Sequence, residues 1–297
     1  MVITDGGMET TLIFKEGLEL PEFASFVLLD DPVGPEALLR YYEPYLEIAR
    51  RRGVGIQLDA PTWRANRDWG ERLGYSPEAL ADVNRRAVAL LEALRESTGG
   101  DPEIVIAGCI GPRGDAYGVD DAMTADDAES YHSTQVETFA DTTVDLIGAL
   151  TLAYADEAVG IVRAAGRVGL PVVISFTVET DGRLPSGQAL GEAIEQVDAE
   201  TDGAAAYFMV NCAHPTHVAP ALRPEPWLDR IHGLRANAST KSHAELDEAE
   251  ELDEGDPDEL AAGYRELRSQ LRNLDVVGGC CGTDHRHVDA ISAVFTP

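Results

Sequence analysis

Asp275-Val276-Val277-Gly278-Gly279-Cys280-Cys281-Gly282-Thr283-Asp284 is the stretch from which the fold can be read. A β-branched run ends in glycines, two thiols follow, and Asp284 stands as a start signal ahead of an apolar helical face. That is one strand-to-helix unit with its reactive groups at the strand's C-terminal end. Short β-branched or apolar runs recur upstream, and together the eight cover residues 2–5, 55–60, 104–109, 145–150, 171–177, 206–212, 234–237 and 275–279. Amphipathic stretches alternate with them at 36–52, 77–96, 125–142, 154–168, 187–199, 215–222, 257–272 and 284–294. Eight such units in 297 residues, with no Ser/Gly/Pro-rich linker, predict an α/β fold: one (β/α)8 TIM barrel spanning 1–297. A doubly wound open sheet is the alternative. In a barrel, chemistry gathers at the C-terminal ends of strands, where Asp5, Cys212, Cys280 and Cys281 all fall. Residues 235–255 break the pattern with a polar, acidic excursion, read as part lid and part solvated surface; a plain surface loop is the competing reading.

Composition narrows the function. The chain carries 53 acidic against 23 basic residues, a net charge of −30, and its only lysines are Lys15 and Lys241. Such a field repels nucleic acid and anionic lipid, so neither is expected as a partner. No run approaches the roughly 20 apolar residues of a membrane span, and the N-terminus shows no basic leader, so a cytoplasmic protein is expected. Apolar periodicity persists throughout, which argues against a disordered acidic tail. A solvated acidic surface suited to concentrated salt is the better reading, since screening relieves self-repulsion. Oligomeric state is not legible.

Three of the four cysteines sit in two short frames, Asn211-Cys212-Ala213-His214-Pro215 and Gly279-Cys280-Cys281-Gly282. Glycines on both sides of the adjacent pair let the backbone bend so that both sulfurs aim at one point. Thiolates are ligands that Zn2+ prefers, and three protein ligands leaving a fourth position open is the arrangement of a catalytic zinc. Buried thiols without a metal, and a vicinal disulfide, are the alternatives. Cys109 reads as a small apolar residue at a strand end. His214 reads as a helix-start residue ahead of Pro215.

These residues resemble the homocysteine S-methyltransferase family along nearly the whole chain. Asp5-Gly6-Gly7-Met8-Glu9-Thr10 is similar to the family's opening Asp-Gly loop, and Asn211-Cys212 to its Asn-Cys frame. Gly278-Gly279-Cys280-Cys281-Gly282-Thr283 is similar to its most specific signature. Ser175-Phe176, Gln135 and Asn237-Ala238 fit more weakly. The resemblance implies zinc held by Cys212, Cys280 and Cys281, and methyl transfer from a cationic or activated donor to a thiol acceptor, homocysteine giving methionine. It further implies that Asp5 meets the substrate ammonium and that N–H groups around Gly6 and Gly7 take its carboxylate. Asn211 would position the loop, and Trp63 would face a cationic donor. Leu150-Thr151 stands where members carry Glu-Thr, and Glu9 is the candidate to supply the missing charge. A different thiol acceptor and a non-catalytic zinc or thiol-binding protein remain as alternatives. The donor stays open among S-methylmethionine, S-adenosylmethionine, betaine, a methylated folate and a methyl-corrinoid protein.

Overall fold

Strand β1 is two residues long, Val2–Ile3, yet it closes the sheet: Val2 registers with Gly55 on one side and with Val276 on the other, both parallel. The computed structural model describes residues 1–120, 122–249 and 251–296. Around β1 run β2 Gly55–Asp59, β3 Ile104–Ile110, β4 Leu146–Leu152, β5 Val172–Phe176, β6 Tyr207–Asn211, β7 Ile231–Ala236 and β8 Val276–Gly279, each pairing with its sequence neighbours in one closed parallel barrel. The helices are α1 Met8–Phe14, α2 Gly34–Arg52, α3 Arg67–Arg72, α4 Pro77–Ser97, α5 Ala125–Ala140, α6 Ala155–Val168, α7 Leu190–Thr201, α8 Pro215–Val218, α9 His243–Asp247, α10 Pro257–Arg268 and α11 His285–Phe295. The fold is a (β/α)8 barrel, as the alternating runs predict.

Parallel strands covered by helices are buried on both faces, so they read as continuous apolar runs rather than alternating ones. All five residues of β5 are buried, and Ile3, Ile56, Ile174 and Leu234 belong to the same core as helix residues Leu38, Val159 and Ile194. Helices α5 and α6 pack tightly enough that a Cβ on Gly160 would fall 2.5 Å from the Cβ of Ala128. Such an approach admits only glycine.

The differences from expectation have local causes. The helix anticipated over 215–222 is four residues long and gives way to short 3-10 turns at Ala219–Ala221 and Pro226–Arg230, because Pro220, Pro224 and Pro226 interrupt it. Strand β7 begins at Ile231, earlier than 234, because Gly233 and His232 mask its pattern; Gly233 packs closely on Met209. Helices α1, α3 and α9 are seven, six and five residues long, too short for a periodicity to show. Among the described residues no helix is long and apolar enough to cross a membrane.

Candidate metal and substrate centre

Strand β6 delivers Asn211 and then turns sharply, with Cys212 in the left-handed region at φ 54°. A branched or thiol-bearing residue holds that conformation only when its surroundings over-determine it. Here the Cys212 carbonyl accepts from Asn237 Nδ2 at 3.0 Å and from Thr177 Oγ1 at 3.4 Å, and His243 Nε2 lies 2.7 Å away. A carbonyl only accepts, so Nε2 of His243 carries the proton. At the end of β8, the Cys280 N–H donates to Ala236 O at 2.8 Å, the Ala238 N–H to Cys281 O at 3.1 Å, and the Thr283 hydroxyl to Cys280 O at 2.7 Å. Gly282 takes φ 78° to complete the bend.

The two turns bring the three sulfurs together, with all pairs within 4.8 Å. Cys281 Sγ is 3.9 Å from Cys212 Sγ, while Cys212 and Cys280 are in disulfide contact with their Cα atoms 5.4 Å apart. The pairing is thus between strand ends and not between the adjacent thiols. Bonds of 2.3 Å to one tetrahedral ion would put sulfurs about 3.8 Å apart; the Cys212–Cys281 spacing fits that, and once the Cys212–Cys280 pair is reduced the three thiolates are a donor set suited to a soft cation. Among the described residues no further His, Cys, Asp or Glu joins this group. His214 caps α8 with its Nδ1, 3.3 Å from the Thr216 N–H, and Cys109 is buried in β3, where burial pushes its thiol well up.

Asn211 is a brace. Its Oδ1 accepts from the Thr151 N–H at 2.9 Å and the Ser175 hydroxyl at 2.6 Å, and its Nδ2 donates to Thr151 Oγ1 at 2.7 Å and lies 3.8 Å from Cys280 Sγ. Thr151 itself stands at φ 64°, where the β4–β5 register shifts, and its hydroxyl reaches Cys212 Sγ at 4.0 Å. One buried amide thus ties the ends of β4, β5 and β6 to the sulfur cluster.

Asp5 ends β1 but does not stand free. Arg235, from β7, ion-pairs with both Asp5 and Asp59, and the Tyr41 hydroxyl donates to Asp5 Oδ2 at 3.1 Å. Gln57 Nε2 holds the other face of Asp59 at 2.9 Å. Burial pushes Asp5 up to about 7 against the lowering pull of Arg235, and Asp59 adds to the rise. Gly6 and Gly7 are required for close packing: a Cβ on Gly7 would lie 2.6 Å from Cys280 O. The Gly7 N–H donates to Thr283 O at 3.0 Å, so the anticipated carboxylate cradle is not built from that group.

These groups line a cavity of about 760 Å3 at the C-terminal mouth. Glu9 lines it with Oε1 held by Ser25 Oγ at 2.8 Å; burial raises its carboxyl, partly offset by that hydroxyl. Leu150 is buried in the wall and takes the Trp63 Nε1–H on its carbonyl at 3.2 Å. Arg64 lies over the Trp63 ring, and burial draws its guanidinium down to about 10 while Asp115 and Glu9 pull it up. The excursion supplies Leu246, Ala249 and Leu252 to the mouth, with His243 stacked on Tyr117 at 3.8 Å. Its Glu245, Glu248 and Glu251 face solvent, and residue 250 lies outside the described residues. Arg235, Asp59, Thr151 and His243 were not anticipated from sequence. The lone arginine at the end of a strand was the only available signal.

Fold and site define an enzyme class: a (β/α)8 barrel with a thiol cluster at its catalytic face. The homocysteine S-methyltransferase family profile matches residues 2–295, and the chain belongs to that family. It is an S-methyltransferase. Among solved structures it is similar to the Escherichia coli homocysteine methyltransferase MmuM. The oxidized form has 18% identity and a TM-score of 0.76 over 99% of this chain and 95% of that one. The metallated form has 19% identity and a TM-score of 0.74 over 99% and 96%. No curated protein matches significantly.

Proposed function

We propose that this enzyme methylates the sulfur of homocysteine to give methionine, using zinc bound by Cys212, Cys280 and Cys281. The observation that carries the reading is the convergence of three sulfurs from two strands 68 residues apart, at the mouth of a barrel of this family. Zinc bound there supplies a cation that favours the thiolate form of an acceptor. The chain's own groups do the rest. The Asn211 amide and the Thr151 hydroxyl lie at 3.8 and 4.0 Å from the Cys280 and Cys212 sulfurs, and hold their orientation and charge. Asp5 and Asp59 share one guanidinium, so above the Asp5 pKa of about 7 the trio carries an excess negative charge to attract the acceptor ammonium. The Glu9 carboxylate on the same wall adds to that charge where Leu150 offers none. The acceptor gives its thiol proton to solvent, and its sulfur forms the new S–C bond. The donor's bond to that methyl breaks with its electron pair, releasing a neutral thioether or amine. Trp63 is part of the donor wall. The reading extends to a reducing cytoplasm, where thiols stay available to metal, and to a fold that needs high salt.

The test is zinc-loaded enzyme with homocysteine and a panel of activated methyl donors in molar salt, scored for methionine. Methionine from at least one donor, lost on chelation and in Cys281→Ser, is expected. No product from any donor with metal bound would favour a thiol-binding protein. Leu150 favours a second acceptor reading, a thiol whose amine is bound less tightly or absent. Glu9→Gln is expected to raise the KM for homocysteine about tenfold, the loss of one charge-assisted contact; an unchanged KM would move the acceptor toward a thiol without the ammonium.

A further inference from the structure

The cavity wall beyond β2 alternates aromatic and cationic side chains: Trp63, Arg64, Trp69, Arg72. The Arg64 guanidinium carbon lies 4.4 Å from the Trp63 ring centroid and 3.8 Å from that of Trp69, and Arg72 lies 4.4 Å from the Trp69 ring. All four line the cavity. Arginine stacked on indole faces loses rotamer freedom, and its planar fork can match a carboxylate by two hydrogen bonds.

What sets Arg64 apart is how little the protein does with it. Arg235, the fully buried guanidinium of this cavity, has Asp5 and Asp59, whereas Arg64 is half-buried. Arg64 donates Nη1 to the Gly114 carbonyl at 3.2 Å, and among the described residues its buried Nε has no partner. Among the described residues no carboxylate lies within ion-pair distance of it. Asp115 and Glu9 act on it only from farther off. A guanidinium stacked between two indoles in a cavity wall, with one hydrogen bond to the protein and no carboxylate in ion-pair reach among the described residues, is placed to take an anionic group from a ligand.

Position says which ligand. Strands β2 and β6 are four apart in a ring of eight, so the loop after β2 that carries Arg64 leaves the barrel opposite the end of β6, where Cys212 turns. A methyl donor must present its reactive carbon to the thiol centre, and its remainder extends toward the opposite wall. We infer that Arg64, clamped between Trp63 and Trp69, reads the methyl donor: it binds the carboxylate of a zwitterion whose methyl-bearing cation points across the mouth toward Cys212, Cys280 and Cys281. A cationic donor without a carboxylate meets an unneutralised guanidinium there and is disfavoured. This rests on the methyl-transfer reading and adds the donor class and the residue that selects it.

The experiment uses matched donor pairs that differ by the carboxylate: S-methyl-L-methionine against (3-aminopropyl)dimethylsulfonium, and glycine betaine against tetramethylammonium. The pairs separate sulfonium from ammonium donors. In the zinc-loaded enzyme, Arg64→Gln is expected to raise KM for the effective zwitterion about 10- to 100-fold, the range for a charge-assisted hydrogen bond, with kcat little changed. The partner lacking the carboxylate is expected to lose nothing, and Arg64→Lys to restore part of the affinity. If Arg64→Gln does not fold, Arg64→Lys carries the comparison. Equal losses for both members of a pair, or an unchanged KM, would overturn the assignment. Fluorescence titration of Trp63 and Trp69 reads binding without turnover. If wild-type enzyme makes no methionine from any donor, the methyl-transfer reading falls and the titration decides this one. A carboxylate-dependent signal lost in Arg64→Gln sustains the anion site; no binding, or no difference between the two proteins, overturns it.

Discussion

Arg235 shows how one residue converts an apolar strand end into a charged floor. Its guanidinium meets two carboxylates from β1 and β2, and its Nε donates to Gly279 O at 3.2 Å, beside the thiol turn. Burial works against its charge, but Asp59 and Asp5 outweigh burial and hold it firmly protonated. Removing one partner of a buried ion network leaves uncompensated charge, which costs about 3–5 kcal/mol. Arg235→Met is therefore expected to lose about that much in urea denaturation at neutral pH. The pH dependence follows from the sign. Asp5 has a folded pKa of about 7, above its ordinary value, so its contribution is full below the ordinary carboxylate range and is lost as pH rises through 7. Without Arg235 the Asp5 carboxyl rises further, so the variant's deficit should narrow toward pH 5. A deficit constant between pH 5 and 8 would sink this account. The convergence of the three sulfurs was legible because adjacent cysteines between glycines have few structural uses. The triad was not, because Asp5, Asp59 and Arg235 are 54 and 176 residues apart in turn, and only barrel closure makes them neighbours.

Short elements carry more of the site than long ones. The eight strands and the long helices α2, α4 and α6 were legible because apolar periodicity over many residues overrides local noise. Helix α9 was hidden in the acidic excursion, yet its first residue, His243, holds the Cys212 carbonyl at 2.7 Å and contacts Glu179 at 3.2 Å. Groups that orient metal ligands typically change metal affinity or activity 10–100-fold when removed. His243→Ala is expected to weaken zinc binding by about 10-fold or more in chelator competition, with thermal unfolding of the barrel nearly unchanged. Unaltered zinc affinity would make α9 a cover without a positioning role. Helix α11 supplies a second case. Its N-cap Asp284 accepts from the Arg286 N–H at 2.9 Å and pairs with Lys15 at 2.5 Å and Arg286 at 2.8 Å. Burial alone would raise Asp284, but His287, Arg286 and Lys15 hold it far below the ordinary range. Asp284→Asn keeps a cap and loses the charge, for about 1–3 kcal/mol. A depressed folded pKa means the contribution is full above the ordinary value and lost as pH falls below it, so the wild-type advantage should shrink below about pH 4. An advantage that persists undiminished at pH 3 would exclude the ion pairs as its source.

Across the whole molecule, we propose that charge more than packing sets the conditions under which the barrel stands. Fifty-three acidic side chains against 23 basic ones leave a net −30 spread over one compact body, and the stretch from Glu245 to Glu259 adds exposed carboxylates beside the catalytic mouth. Ion pairs such as Arg86 with Asp30 at 2.5 Å and Arg163 with Asp126 at 3.1 Å use the basic residues available, and most carboxylates have none left to meet. Exposed pairs of this kind contribute about 0–1 kcal/mol each, too little to offset repulsion summed over the surface. Screening is the remaining lever: the Debye length is about 3 Å at 1 M and about 30 Å at 0.01 M, so in dilute salt every surface carboxylate feels many others. The folded state suffers most because it holds the charges closest together. We expect the Tm to fall steeply from molar to low-millimolar KCl, each kcal/mol of lost stability lowering it by about 2–4 °C for a domain of this size. Restoring ionic strength should recover it, whereas sucrose, which strengthens burial without screening, should recover little. A Tm unmoved between the two salt extremes, or sucrose matching salt, would show that self-repulsion does not govern the stability of this barrel.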